Sequence, residues 1–551
     1  MPDGAAGRPV RRSSVLAVCA KIVYPTLCLC LSGVISAASD RPPAAGAKSG
    51  GRAESETSPA KPNIVYVLCD DLGYGDVHAL NPERSKIATP NMDRLRAEGM
   101  AFTDCHSGSA VCTPSRYCLL TGRYCWRTHL QASVLWGESP PLISPDHLTV
   151  PELLKQQGYT TAVMGKWHLG LAFDPKDYTK PITDGPLQHG FDYFFGISGS
   201  LDMPPYDFIE NDHFTEVPKA TKMFASFIYG KVAEAGPTRP GPAAPDFEAV
   251  NVLPRVTAKA VDYITAHGAD HQPFFLYLAL PSPHSPLVPA KEWQGRSGLG
   301  PYGDYVMETD WSLGQVLQAI DRAGLRSGTL VMFASDNGCS PYIGVHKLEA
   351  LGHFPSARFR GYKSDIWDGG HRIPYLVRWP GKIKPGSKSD QTVELTDLIA
   401  TLADILGQPL PENAGPDSRS LLPALTGQAR RPIHRLNVYH SIEGNFAIQE
   451  GRWKLELCPG SGGWDAPIDK DARAQGLPRV QLYDMVSDIG EKTNVEAAHP
   501  DIVARLTADL ESCVASGRST PGPAESNDVK VDLWKLPATP AEKAKLEKVG
   551  D

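Results

Sequence analysis

The sequence predicts an α/β protein: a large, mainly parallel sheet flanked by helices, then a smaller C-terminal antiparallel sheet with a packed helix. Three observations predict it. Four apolar, β-rich runs each lead into polar residues or a Gly-containing turn, the pattern of strands buried on both faces. Helical stretches such as 307–323 lie between some of these runs, and strands alternating with helices imply a parallel layer. From about Arg430 the texture changes to short strand-like pieces joined by turns.

In chain order, residues 1–38 read as a secretory signal. Arg8, Arg11 and Arg12 precede the apolar stretch 15–20, the run resumes over 22–37, and it closes on Ser36, Ala37 and Ala38. Positive flank, short apolar run and small-residue exit are the marks of such a segment. A membrane anchor is the competing reading. The run is short for a spanning helix and contains Pro25, so cleavage near Ala37 or Ala38, export and no stable membrane span are expected. Residues 39–61, rich in Ala, Gly, Ser, Pro and Glu, read as a disordered linker.

The main domain is expected over 62–429. Its first strand, 63–69, ends at Asp70 and Asp71 and is followed by the Gly-rich turn 72–76. The run 160–164 leads to Gly165 and Lys166, 274–280 to Pro281 and His284, and 329–335 to Asp336, Asn337 and Gly338. Ligands of such sheets bind beyond the carboxyl ends of the strands, so these polar groups are expected to converge on one edge. The second region, 430–540, carries strand-like segments 437–440, 445–449 and 453–457 and a helix over about 500–516.

Bulk properties bound the function. With 551 residues, 41% of them hydrophobic, the chain has enough length for a large core and a second, smaller domain. A net charge of -7 offers no basic excess for nucleic acid or a polybasic membrane contact. No repeat of solenoid period is present. Beyond the signal lie Cys69, Cys105, Cys112, Cys118, Cys125, Cys339, Cys458 and Cys513, whose connectivity the sequence leaves open.

The motifs narrow the chemistry. Cys112-Thr-Pro-Ser-Arg116 is extended by Leu119, Leu120 and Thr121-Gly-Arg123. Asp70-Asp71 and Asp336-Asn337 stand at two strand ends. Gly165-Lys166-Trp167-His168-Leu169-Gly170, Pro283-His284-Ser-Pro286 and Arg360-Gly-Tyr-Lys363 add cations and imidazoles. Taken singly these are weak. An isolated Cys-x-Pro reads as a buried or disulfide-bonded cysteine, Asp-Asn-Gly as a turn, and a lone lysine or histidine as a solvated or satisfied group.

Together they resemble the type I sulfatases of the alkaline phosphatase superfamily, whose motif cysteine is oxidised to formylglycine. The resemblance runs from about Pro62 to about Asp528, with Gln481-Leu-Tyr-Asp484, Glu491 and Asn494 similar to the family's C-terminal domain. Two positions depart from it: Cys125 stands where proline is expected, and Asp368 where glutamate is commoner. The resemblance implies a sulfatase whose nucleophile derives from Cys112, and so a formylglycine-generating maturation enzyme as a partner. With Cys112 modified, seven cysteines remain and at least one stays unpaired within the chain. It implies a metal site of Asp70, Asp71, Asp336, Asn337 and the modified Cys112. That all-oxygen shell suits calcium, and suits magnesium less because magnesium demands tighter geometry.

The resemblance also distributes roles. Arg116 and Lys166 would hold the diol form of the aldehyde, with Ser200 in support, and Lys363 would bind sulfate. His284 and Lys363 would assist the leaving oxygen, and His168 would deprotonate the remaining hydroxyl. A sulfate ester is anionic and repels nucleophiles, so a covalent route divides one hard step into two easier ones. Asp202, in 201–206, and His353 and Arg358, in 352–358, resemble a bacterial branch acting on sulfated sugars such as 6-sulfated galactose or N-acetylgalactosamine. They are expected to contact sugar hydroxyls, with loop stabilisation as the equal alternative. His129 is a further candidate to face the pocket. The competing functions are a phosphomonoesterase or phosphodiesterase of the same superfamily, and a non-catalytic sulfated-glycan binder in which Cys112 stays a thiol.

Overall fold

A computed structural model of the protein describes residues 61–230, 238–268 and 272–535, so the expected signal and all but the last residue of the linker lie outside the described residues. The main sheet has ten strands: β1 (Asn63–Asp70), β2 (Met100–Phe102), β3 (Thr160–Lys166), β4 (Tyr193–Ile197), β5 (Ile209–Glu210), β6 (His213–Phe214), β7 (Phe274–Pro283), β8 (Thr329–Ser335), β9 (Tyr375–Arg378) and β10 (Ser387–Ser389). They lie in the order β10-β2-β9-β8-β1-β7-β3-β4-β5-β6. The central five, β8-β1-β7-β3-β4, are all parallel, and antiparallel strands flank them on both sides.

The sequence of β1 explains its central place. Ile64, Tyr66 and Leu68 enter one core, and Val65, Val67 and Cys69 enter the other. Both faces are apolar because helices cover both. On the first face lie α1 (Cys112–Thr121), and later in the chain the helix 398–405, through Leu120, Ile399 and Leu402. On the second face lie α2 (Val252–His267) and α3 (Pro301–Arg322), through Val256, Leu313 and Ile320.

Three elements differ in length from expectation. β3 continues to Lys166 because Gly165 and Lys166 still pair with Gly196 and Ile197 of β4. Gly165 has φ +109°, and a Cβ there would lie 1.9 Å from the carbonyl oxygen of Ala279, so only glycine carries the strand to its end. β7 runs on to Pro283, which pairs with Asp70. α3 begins at Pro301, earlier than expected, because its first turns bury Tyr302, Asp304 and Tyr305 rather than a plain apolar stripe.

The smaller sheet is antiparallel and in chain order: β11 (Asn437–His440), β12 (Phe446–Glu450), β13 (Trp453–Glu456) and β14 (Gln481–Asp484). The helix α4 (Pro500–Ala515) packs on β12 and β13. From β13, the buried ammonium of Lys454 donates to Asp368 Oδ1 at 2.9 Å and Glu491 Oε1 at 2.6 Å. This ties the small sheet to the segment behind Lys363. Among the described residues, no helix is long and apolar enough to cross a membrane. All eight cysteines named above are free and buried.

Candidate active site

Four adjacent parallel strands deliver the polar groups to one edge. Asp70 ends β1, and Asp71 turns away from it at φ +66°, a left-handed conformation uncommon outside glycine. Beside them, Asp336 and Asn337 follow β8, with the Asp336 amide donating to the Cys69 carbonyl at 3.0 Å. The Asp71 amide donates to Asp336 Oδ1 at 3.2 Å, and Asn337 Nδ2 to Asp71 Oδ1 at 2.7 Å. Asn337 Oδ1 is buried and has no hydrogen-bond partner.

Cys112 is the first residue of α1, where the helix leaves backbone N–H groups uncapped by any side chain. Pro114 is tolerated there because its missing N–H would find no partner in the first turn. Arg116 lies one turn further on the same face. Its Nε and Nη2 donate to Asp336 Oδ2 at 3.0 and 2.7 Å, and its Nη1 to the Lys166 carbonyl at 3.2 Å. One side-chain ligand atom each from Asp70, Cys112 and Asp336 lies within 4.8 Å of the others, and the same holds for Asp70, Asp71 and His284, which offers a ring nitrogen.

The remaining cations close around these carboxylates. Lys166 Nζ donates to Asp70 Oδ1 and Oδ2 at 2.9 and 2.8 Å and to Ser200 Oγ at 2.5 Å. Lys363 Nζ donates to Asp71 Oδ2 at 2.9 Å. His284 meets the Ser285 carbonyl with Nδ1, so that nitrogen carries a proton, and Nε2 faces Asp71 Oδ2 at 3.6 Å. His168, at φ +58°, donates from Nε2 to the Leu135 carbonyl at 2.8 Å. A carbonyl can only accept, which leaves Nδ1 as the acceptor nitrogen of the neutral ring, buried and without a partner.

The electrostatics differentiate these groups. Burial would raise the Asp70 carboxyl, but Lys166, His284 and Arg116 outweigh it and hold it well below the usual carboxylate range. Complete burial pushes Asp336 up to about 6 despite Arg116. Burial, reinforced by Lys166 and Arg116, keeps His168 well below the ordinary histidine value, hence neutral. Burial also raises the Cys112 thiol, so an unmodified thiol here is a poor nucleophile.

The donor set fits an oxygen-ligated cation. Three carboxylates and a partnerless amide oxygen converge there, and among the described residues no thiolate pair or histidine cluster at this edge offers a zinc geometry. A second group of ligand types, His106, Asp368 and His371, does not fit one. The two imidazoles meet each other through Nδ1 at 2.8 Å, and Lys454 Nζ stands 3.2 Å from His371 Nε2. The Lys454 ammonium thus already supplies a positive charge against both Asp368 and His371. Asp368 is committed to Lys454 and Arg372.

The expected sugar contacts divide. Ser200 joins the site through Lys166. Asp202 lies two residues on and accepts from Arg239 Nη1 at 2.6 Å. For His353 the structure corrects the sugar-contact expectation in favour of the loop-stabilising alternative: it is fully buried, accepts the Lys86 amide at Nδ1 and meets Asp76 Oδ1 at Nε2, so neither ring nitrogen is left for a sugar. Its role is to hold the loop after β1. Arg358 is exposed, makes no side-chain hydrogen bond among the described residues and lies 6.0 Å from the Phe359 ring centre. His129 is exposed. Sequence reasoning missed the Leu135 carbonyl that orients His168 and the Arg239 partner of Asp202. The first is a backbone group and the second comes from a distant loop, so neither leaves a local motif.

Residues 62–408 match the family model described as Sulfatase. The chain is 35% identical over 488 residues to an N-acetylgalactosamine-6-O-sulfatase of Bacteroides thetaiotaomicron, covering 82% of this chain and 93% of that one. It is 35% identical over 486 residues to human arylsulfatase A, covering 83% and 90%. A solved structure from work on glycosaminoglycan metabolism by Bacteroides thetaiotaomicron superposes with a TM-score of 0.73 at 32% identity, covering 82% of this chain and 99% of that one.

Proposed function

The chain belongs to the formylglycine-dependent sulfatases and is a sulfuric ester hydrolase, and from that premise we propose that it hydrolyses sulfate esters of carbohydrates at the Cys112 site with a bound calcium ion. The observation that carries this reading is the convergence of Cys112, Asp70 and Asp336 beside the partnerless Asn337 Oδ1. Asp70, Asp71, Asp336, Asn337 and residue 112 would hold the ion; magnesium would fit less well. When bound, the ion offsets negative charge on the sulfuryl oxygens. Conversion of Cys112 by a maturation enzyme supplies an aldehyde whose hydrate is an oxygen nucleophile.

The chain's own groups then have distinct tasks. Arg116 and Lys166, already anchored on Asp336 and Asp70, present fixed positive charge beside residue 112. Lys363 neutralises the sulfate. His284, carrying a proton on Nε2 as well as Nδ1, delivers the Nε2 proton to the leaving oxygen and is left neutral, and Lys363 assists. His168 Nδ1, neutral and partnerless, accepts the proton whose removal resets the site. Opposite proton transfers are thus assigned to two imidazoles with different environments.

The 6-O-sulfatase relative supports 6-sulfated N-acetylgalactosamine or galactose as the substrate unit. The Arg-rich leader and apolar run before residue 38 support export, with action outside the cytoplasm. The test is sulfate release from 6-sulfated N-acetylgalactosamine against phosphate release from its 6-phosphate analogue. Faster sulfate release is expected; preferential phosphate release would replace this reading with a phosphomonoesterase.

A further inference from the structure

An exposed indole stands on the segment that orients His168. Trp136 is 50% exposed, the most exposed tryptophan among the described residues, and it follows Leu135 directly. The Leu135 carbonyl accepts from His168, and its amide donates to Thr113 Oγ1, beside Cys112. On a second segment, Asp202 follows Ser200, the acceptor of Lys166. Successive Cα atoms are about 3.8 Å apart, so the Trp136 and Asp202 backbones begin within roughly 8 Å of residues that touch the catalytic groups.

A third segment joins these two. The Arg239 guanidinium lies 4.5 Å from the Trp136 ring centre and donates from Nη1 to Asp202 Oδ2 at 2.6 Å. Its side chain is 49% exposed, and its Nε and Nη2 have no hydrogen-bond partner among the described residues. The platform is fixed from behind. The Trp136 amide donates to Ser139 Oγ at 2.8 Å, and Gly137 packs so closely on the Pro204 carbonyl that a Cβ would lie 2.0 Å from its oxygen. The Arg239 amide also donates to the Asp202 carbonyl at 3.3 Å.

Resting on the carbohydrate reading above, we propose that Trp136, Arg239 and Asp202 form a subsite for the sugar next to the sulfated one, and that this neighbour carries an anionic group. The C–H face of a pyranose suits the electron-rich face of an indole. The free edge of the Arg239 fork matches a carboxylate or a second sulfate, and Asp202 holds that fork in place. The enzyme therefore acts on residues within, or at the end of, a polyanionic glycan rather than on isolated sulfated monosaccharides alone.

The test compares kcat/KM on four substrates: the 6-sulfated monosaccharide, and disaccharides in which its neighbour is neutral, a uronic acid, or itself sulfated. The wild-type protein should prefer the anionic disaccharides, and the two anionic arms identify whether carboxylate or sulfate is read. Arg239→Ala should cut that preference about tenfold, chiefly through KM, as expected for one charge-assisted contact. Trp136→Ala should lower the disaccharide-to-monosaccharide ratio for every disaccharide, and Trp136→Tyr should restore most of it. Variants that change all four substrates by one common factor, or change none, would overturn the subsite while leaving the carbohydrate reading intact. A wild-type protein that releases sulfate from none of the four, yet cleaves aryl sulfates, would overturn both.

Discussion

Asn337 gives its amide nitrogen to Asp71 Oδ1 at 2.7 Å and keeps its own Oδ1 buried without a partner. A buried amide oxygen with nothing to accept costs on the order of 1–3 kcal/mol, which a bound cation would remove. Calcium at a hundredfold excess over its Kd should therefore stabilise the fold by about 2.7 kcal/mol, read as a rise in Tm that chelation reverses. Asn337→Ala should shrink that rise. A Tm indifferent to calcium and chelator would contradict the assignment.

The two histidines should fail differently. His168→Ala should release one equivalent of phenol from an activated aryl sulfate and then stall, because the acceptor nitrogen at Nδ1 is gone. His284→Ala should be slow in the first step, and most so for leaving groups of high pKa that need a proton. Single-turnover kinetics across aryl sulfates of graded leaving-group pKa measure both. Equal leaving-group dependence in His284→Ala and the parent, with no burst in His168→Ala, would reject the roles.

Away from the site, Arg127 donates from Nε and Nη2 to the two oxygens of Asp417 at 2.9 and 2.8 Å, and both side chains are fully buried. Asp417→Ala leaves a buried guanidinium without its carboxylate. It should cost about 3–5 kcal/mol in urea unfolding. A loss below about 1 kcal/mol would mean that the arginine finds water or another partner.

His440 gives a pH signature. Burial, with Lys535 nearby, lowers it from 6.5 to about 3 in the folded chain. The unfolded chain binds its proton first, so this residue's contribution is complete above about pH 6.5 and is lost as pH falls toward 3. The loss is at most about 1.4 kcal/mol per pH unit. Measured by denaturant unfolding from pH 7.5 to 5, His440→Gln should lose less stability than the parent. Parallel pH profiles would contradict the burial argument.

Much of this molecule was legible because its strands are apolar runs with polar ends. The runs at 63–69, 160–164, 274–280 and 329–335 became four neighbouring strands, and their following residues met at one edge. Pairing decided what patterning could not. Gly165 and Pro281 lie inside strands that were expected to end just before them. The fourth strand of the small sheet, β14, is polar at both ends and was not expected as a strand. His353 read equally as a sugar contact or a loop stabiliser, and its ring is spent on Asp76 and the Lys86 amide. Trp136 and Arg239 carry no motif; only the packing of three loops brings them together.

Everything proposed for the site depends on residue 112 acting as a converted cysteine. The most direct measurement is the mass of the tryptic peptide 97–116, from protein made with and without a formylglycine-generating enzyme, set against sulfate release by the same two samples. The thiol-to-aldehyde mass loss should fall on Cys112, turnover should scale with the converted fraction, and Cys112→Ala should fold but be inactive. Full turnover by protein whose Cys112 remains a thiol, or by Cys112→Ala, would contradict that dependence.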